Sequence, residues 1–149
     1  MELPPSRTVR RHGEWTDAQD RCVLSYEKRF LRRRVLETAR DDRFLVDLEH
    51  TTSLDHGDAF ELEDGRRIEV IAAEEELLEV TGDNLVHLAW HIGNRHAPCQ
   101  IEETRLLIQR DHVMRDMLGK LGAAVRDVVE PFSPAKGAYG HGRTHGHAH

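Results

Sequence analysis

The sequence has little cysteine and no long apolar run, and each shortage excludes a class of protein. Its two cysteines, Cys22 and Cys99, are far apart and form no Cys-X-X-Cys pair, which argues against a disulfide framework and a thiolate zinc site. No stretch approaches the roughly 18 apolar residues of a membrane helix, and the N-terminus lacks the apolar core of a signal peptide. We therefore expect a cytoplasmic protein without a membrane partner.

The chain also has no excess of positive charge and few aromatic residues. The formal net charge is −6 with neutral histidines, and aromatic residues make up 5% of the chain, so we expect no nucleic-acid partner. One basic run, KRFLRRR, stands out in the first half. Alternation along a strand would place Arg32 and Arg34 on one side and Arg29 and Arg33 on the other. We interpret this run as a solvated cationic strand or a docking surface for an acidic protein partner.

Histidine, in contrast, is abundant, with 11 residues in a chain of 149. Four of them lie in a glycine-rich C-terminal run, and these are His141, His145, His147 and His149. Such a run cannot bury enough apolar surface to offset the entropy of ordering it, so we expect a disordered tail. Neutral imidazole suits nickel, copper and zinc, which predicts metal binding by the tail. A purification tag is the alternative, but the irregular spacing and the intervening Arg143 are untypical of one.

The patterns of the two halves predict an α+β protein. Residues 1–73 contain short β-branched segments and a hairpin signal at Asp64-Gly65, which together predict a small N-terminal all-β domain. Residues 74–136 predict the order strand, helix, strand, strand, helix, strand of a ferredoxin-like βαββαβ domain. Residues 137–149 then form the histidine-rich tail.

Capping signals place the two helices of the second domain. The first helix follows the sequence GDN, which offers an N-cap, and we expect Gly93 to end it, with Pro98 beyond. The second helix is predicted to begin after the capping residue Asp111 and to end at Gly122.

Two histidines of the first helix are candidates for metal binding. The helical period places the apolar residues on one face and His87 and His91, four residues apart, together on the opposite face. An i,i+4 histidine pair can chelate a metal, although two solvated side chains are an equally good reading. The pattern is not the HExxH motif of zinc hydrolases, because Leu88 occupies the position of the general base.

His96 and His112 are further candidates. His96 follows the first helix in a tight connection, where a lone surface histidine ordinarily has no role. In a two-fold symmetric dimer, however, two copies near the axis would supply two ligands from one sequence position. His112 lies beside Asp111 in the first turn of the second helix, and the two could ligate a metal, although capping is the favoured reading.

Four stretches of the chain match a known family. They are GDAFELEDGRRIEVIAAEEELLEV, LAWHIGNRHAPCQI, RDHVMRDMLGKLG and GAYGHG with the histidine-rich end. With these, the chain resembles the UreE family of urease accessory nickel metallochaperones over essentially its whole length. HxGNRH followed by DHVxxDML at this interval is far more specific than the tail alone.

The resemblance implies a homodimer. Its N-terminal β domain would resemble peptide-binding modules, and its ferredoxin-like domain would form the interface and bind nickel. By resemblance, His96 is the interface nickel ligand, and His91 and His112 are peripheral ligands. Some relatives carry another histidine two residues before the last of these. This chain has Arg110 there, so we expect a weaker or differently composed peripheral site.

The implied function is that of a carrier and not of an enzyme. It would deliver Ni(II) towards apo-urease through the urease accessory GTPase, with one nickel held between the two His96 residues and the tail histidines capturing ions. Nickel as the cargo comes from the resemblance alone, and the Irving–Williams order predicts that Cu(II) and Zn(II) bind in vitro as well. Two alternatives stay open: a histidine-rich intracellular metal store or buffer, and a metallohydrolase using His87 and His91.

Overall fold

The structure is a computed structural model that describes residues 1–137. The chain divides into two compact units, Met1–Ala73 and a second unit that begins at Glu74, and each has its own apolar core. The described residues of the first unit form strands, and those of the second form strands and two helices, which agrees with the α+β class predicted from the sequence. Within the described residues, no helix is long and apolar enough to cross a membrane. The tail predictions concern residues outside that range, namely His141, His145, His147 and His149.

The first unit is a six-stranded sheet. Its strands are β1 (Ser6–Arg10), β2 (Asp20–Leu24), β3 (Phe30–Glu37), β4 (Arg43–Ser53), β5 (Ala59–Leu62) and β6 (Arg67–Ala72). They are arranged in the order β2-β6-β5-β1-β4-β3. The predicted hairpin at Asp64-Gly65 joins β5 to β6, and Gly65 adopts φ 91°, which a residue without a Cβ takes at little cost. Inside the unit, Phe44 and Phe60 pack edge to face at 5.6 Å between ring centroids.

The basic run beside β3 does not form the predicted alternating surface. Arg29 is only 2% exposed, and its guanidinium donates hydrogen bonds to the carbonyl oxygens of Leu54 (3.2 Å) and Leu24 (2.9 Å). The pairing of β3 with β4 also shifts register between Leu31 and Arg33, which interrupts the two-residue period. The prediction was therefore wrong for Arg29, whose charge is satisfied inside the unit by backbone carbonyls.

The second unit has a four-stranded antiparallel sheet and two helices. Its elements are β7 (Glu74–Thr81), α1 (Leu85–Asn94), β8 (Cys99–Ile101), β9 (Leu106–Gln109), α2 (His112–Lys120) and β10 (Ala124–Pro131). The sheet order is β10-β7-β9-β8. One face of the sheet packs against the helices through a buried apolar cluster of Leu78, Val80, Leu88, Ile92, Leu106, Ile108, Met114 and Leu118.

Both helices begin where their capping residues predict. The Asn84 side chain accepts a hydrogen bond from the backbone N–H of His87 at 3.1 Å. The Asp111 carboxylate accepts from the N–H groups of Val113 at 2.8 Å and Met114 at 3.3 Å. These bonds satisfy donors that have no partner within the helix, so they fix the first turn of each helix.

A cluster of charged residues surrounds Arg105 in the second unit. Its guanidinium bonds Glu79 at 2.9 Å, Glu102 at 3.0 Å and Glu130 at 2.7 Å. The Arg105 side chain is 22% exposed, and that of Glu79 is 15% exposed, so water screens these contacts only in part. The hydrogen bonds from Arg105 hold the pKa values of Glu79 and Glu130 below the ordinary glutamate value of 4.5, and the same bonds raise the pKa of Arg105.

Replacing Arg105 with methionine should therefore destabilise the second unit in a pH-dependent manner. Both glutamates have lowered pKa values in the folded state, so their contribution is present above the unfolded value near 4.5 and is lost as the pH falls through the folded values. At neutral pH we expect a loss of about 2 kcal/mol, because partly buried carboxylates lose a charged donor. The difference from the parent protein should shrink as the solution is acidified below 4.5.

Hydrogen exchange of the β9 amides, followed over a pH series and corrected for intrinsic exchange, measures this effect. Arg126→Met is the matched control, since Arg126 also pairs with Glu79, at 2.8 Å, but has a side chain that is 71% exposed. The control should change stability by less than about 0.5 kcal/mol. A loss in Arg105→Met that stays constant with pH would show that packing, and not charge, explains the effect.

Candidate metal centre

The outer face of α1 brings His87 and His91 together. Leu88 and Ile92 of the same helix are 4% and 0% exposed and anchor it in the core, whereas His87 is exposed and His91 half-buried. The Nε2 atoms of the two histidines are 3.2 Å apart, and their ring centroids are 4.5 Å apart. The i,i+4 spacing in the sequence thus places two imidazole nitrogens side by side at the surface.

Apolar side chains adjoin this histidine pair. The Trp90 indole stacks on His87 with 6.4 Å between centroids and meets His91 edge to face at 5.0 Å. Trp90 is 60% exposed and Val86 is 83% exposed. These two residues line, with Asn84 and His87, an open depression of about 410 Å³. Large apolar side chains this exposed on one helix face are typical of a surface that meets another protein.

His96 lies just beyond the end of α1, in a strained conformation. We expected Gly93 to end the helix, and this was wrong, because α1 continues to Asn94 and Gly93 has no left-handed φ. Instead His96 adopts φ 59°, in the left-handed region, and its N–H donates to the carbonyl of Gly93 at 2.9 Å. A non-glycine residue in this region is uncommon, and such strain is concentrated at functional sites. The side chain is exposed, as predicted.

His112 is the first residue of α2, exposed, directly after Asp111. The Asp111 carboxylate already caps the helix, which agrees with the capping role favoured from the sequence. Arg110 donates to the carbonyl oxygens of Leu77 and Val128, each at 3.1 Å. A cationic guanidinium held in this way offers no metal ligand, so His112 gains none from that position.

The two cysteines are poor ligands in this fold. Burial raises the pKa of the Cys22 thiol to about 12 and that of the Cys99 thiol to about 11. Metal binding requires the thiolate, which is scarce at neutral pH when the pKa is raised this far. The chemistry of the second unit therefore points to imidazole ligands.

No group of three or more His, Cys, Asp and Glu side chains within residues 1–137 is arranged to hold a metal ion. His91, His96 and His112 are thus not gathered into one cluster by a single chain. A metal bound by the described residues would take further ligands from water, from a second copy of the chain or from the tail. The sequence offered His87 as a possible chelating partner of His91, but the family resemblance gave it no role. Its spacing from His91 was the signal that pointed to it.

The fold and the site define the chain as a two-unit α+β protein with surface histidines on and beside one helix of its second unit. Family models place it further. Residues 4–73 match the N-terminal domain of the UreE urease accessory protein, and residues 75–149 match the C-terminal domain. The chain belongs to the UreE urease accessory protein family.

Curated relatives agree over long stretches of sequence. The urease accessory protein UreE of Ruegeria pomeroyi is 70% identical over 149 residues, the whole of both chains. The protein of that name from Cereibacter sphaeroides is 59% identical over 99% of this chain and 81% of its own length. The one from Agrobacterium fabrum is 50% identical over 85% of this chain and 80% of its own. The resemblance seen in the sequence is confirmed, and these relatives are named as accessory proteins, not as catalysts.

Proposed function

We propose that this protein is a nickel metallochaperone that delivers Ni(II) for assembly of the urease active site. The observation that carries the proposal is His96, an exposed imidazole kept at φ 59° within the residues that match the C-terminal domain of the UreE family. The relatives of the chain are named urease accessory proteins, and those names support the non-catalytic role that we propose. The partners we propose are the urease accessory GTPase and apo-urease, in the cytoplasm, without nucleic acid or membrane.

The carrier is proposed to act as a homodimer through the face of α1. Val86 and Trp90, four residues apart, expose 83% and 60% of their surfaces in a single chain. Pairing this face about a two-fold axis would bury Val86 and Trp90 of both chains. Because His96 follows the same helix, the axis would also bring two copies of His96 towards each other. The second unit would then be the dimerisation and metal-binding domain, with the ferredoxin-like fold that its element order suggests.

In the proposed nickel site, the two His96 side chains fill only part of the coordination sphere. Two His96 imidazoles supply two ligands, and water or the tail histidines supply the rest, while His91 and His112 are proposed as peripheral ligands. A coordination sphere with exchangeable positions releases its cargo more readily than a closed structural cage. Imidazole sites also bind Cu(II) and Zn(II), so we expect both metals to compete with nickel in vitro. The first unit is proposed, from the family resemblance, to bind a peptide segment of a partner.

A metal store is the second candidate function. The observation that favours it is that the described residues contain no group of three potential ligands, whereas the tail sequence carries four histidines. In a store, these tail residues would be the main site and His96 would be dispensable. The two functions therefore differ in where the tightest ion is bound.

Replacing the four tail histidines with alanine separates the two functions. Nickel binding is measured by calorimetry, and the ions retained per dimer are counted by native mass spectrometry. The chaperone should keep one tight ion per dimer, since a symmetric interface shares one ion between two chains. A store should lose nearly all of its bound nickel. The control is His50→Ala, because His50 is 83% exposed and lies in the first unit.

A further inference from the structure

We propose that His87 and His91 form a second divalent-metal site on α1, separate from the site at His96. Neither the family assignment nor the resemblance gives His87 a role. The site would hold one Ni(II), Cu(II) or Zn(II) ion per chain through the two Nε2 atoms. Its remaining positions would be filled by water, which keeps it open to exchange.

The distance between the two imidazoles fits a shared ion. Histidine nitrogens bind zinc at about 2.0–2.1 Å, so two ligands at 90–109° around one ion lie about 2.9–3.4 Å apart. The Nε2 atoms of His87 and His91 are 3.2 Å apart. The pair can therefore chelate an ion without a change in the helix.

The surroundings hold the pair in this arrangement. The backbone N–H of His87 is bound by the Asn84 cap, and buried Ile92, adjacent to His91, anchors the helix. The Trp90 indole contacts both imidazoles, which limits the rotamers available to each. Ligands ordered before the ion arrives lose less entropy on binding it.

The donor set selects the class of metal. Two neutral imidazoles favour nickel, copper and zinc over magnesium and calcium, which prefer carboxylate and carbonyl oxygens. The first turn of α1 contains no acidic residue that would add an oxygen ligand. The same two nitrogens could instead share one hydrogen bond at 3.2 Å, with one ring donating and the other accepting. Nickel titration of the histidine variants distinguishes the two arrangements.

The position of the pair also indicates how it would be used. His91 is five residues before His96 in the sequence, on the helix that leads to it. An ion bound at the open pair could be passed on to the site between the two chains. This transfer step rests on the proposed function, whereas the His87–His91 site itself does not.

The test uses the full chain in which His96 and the four tail histidines are replaced by alanine. Nickel titration by calorimetry should detect one remaining ion per chain. His87→Ala and, separately, His91→Ala should each weaken this binding at least about tenfold, because a chelate is reduced to one ligand. His87→Gln should do the same while keeping a polar side chain at the surface. The control His50→Ala, in the first unit, should leave binding unchanged.

Tryptophan fluorescence supplies a second measurement. Nickel bound at the pair should quench Trp90, and the change should disappear in Trp90→Phe while calorimetric binding persists. Failure of the proposed carrier function would show in the tail experiment and would not affect this titration. The inference is overturned if His87→Ala binds nickel as its parent does, or if the remaining ion is lost on His112→Ala instead.

Discussion

His96→Gly is expected to abolish the tightest nickel binding while leaving the protein at least as stable as its parent. The substitution removes one ligand from each chain, so a site shared by two copies loses both, and we expect affinity to fall at least about 100-fold. Stability should behave differently, because residue 96 adopts φ 59°. Relief of left-handed strain is worth about 1 kcal/mol, and the greater freedom of unfolded glycine offsets part of it.

His96→Ala is the matched control for this result. Alanine removes the imidazole but keeps the Cβ that makes a left-handed conformation unfavourable. Both variants should lose tight nickel binding equally, and the glycine variant should be the more stable of the two by about 1 kcal/mol. Calorimetric titration and thermal unfolding in the absence of metal measure the two effects separately.

Two outcomes would contradict this reasoning. Retention of tight binding in both variants would exclude His96 as the central ligand and favour the metal store. If both His96→Gly and His96→Ala were instead less stable than the parent protein, the imidazole would hold the connection in place through its contacts. The conformation at His96 would then serve the packing of the fold and would not indicate a role in metal binding.

Local signals in the sequence were sufficient to predict several elements. Asn84 and Asp111 cap their helices because a side-chain oxygen needs only the nearby N–H groups of the first turn. The hairpin at Asp64-Gly65 is equally local, since the turn type depends on the residues within it. The proximity of His87 and His91 follows from helical period alone. In each case the partners are within a few residues of one another.

Features that depend on distant contacts were not predicted. Arg29 is buried because the carbonyl oxygens of Leu24 and Leu54 accept its hydrogen bonds, and the second of these lies 25 residues away. Gly93 did not end α1, since glycine inside a helix costs only about 1 kcal/mol and packing of the neighbouring Ile92 outweighs that. The left-handed conformation of His96 was also not predicted. Gly93 and Asn94 lie nearby and are residue types that adopt this conformation more readily, and no local feature pointed to His96.

One sequence also cannot predict every ligand of the proposed metal site. Sequence alone gave the residue types and the spacing of His87 and His91. Symmetry suggested how His96 could contribute twice, but its assignment as the interface ligand came from family resemblance. When a second chain completes a metal site, the ligands are not separated by a fixed interval in one sequence. The periodicity of that sequence therefore cannot identify the site. The surface through which two chains are proposed to pair is therefore the most informative target for mutation.

Changing Val86 and Trp90 together to glutamate is expected to dissociate the proposed dimer. Each apolar side chain buried at an interface contributes about 1.5–3 kcal/mol, and a carboxylate placed there adds a desolvation cost. We expect the dimer dissociation constant to rise by a factor of about 1,000 or more. The single chain should tolerate the change, since Val86 is 83% exposed and Trp90 is 60% exposed within it. Sedimentation over a concentration series measures the shift.

Val113→Glu with Val129→Glu is the matched control, because these residues are 49% and 56% exposed but lie outside α1. The control should remain dimeric and keep its tight nickel ion. In the α1 variant, the ion shared by two His96 residues should be lost together with the dimer, because neither chain alone supplies both ligands. Dissociation of the control, with the α1 variant still dimeric, would place the interface on another face. Tight nickel binding by a monomeric α1 variant would show that His96 does not act as a pair.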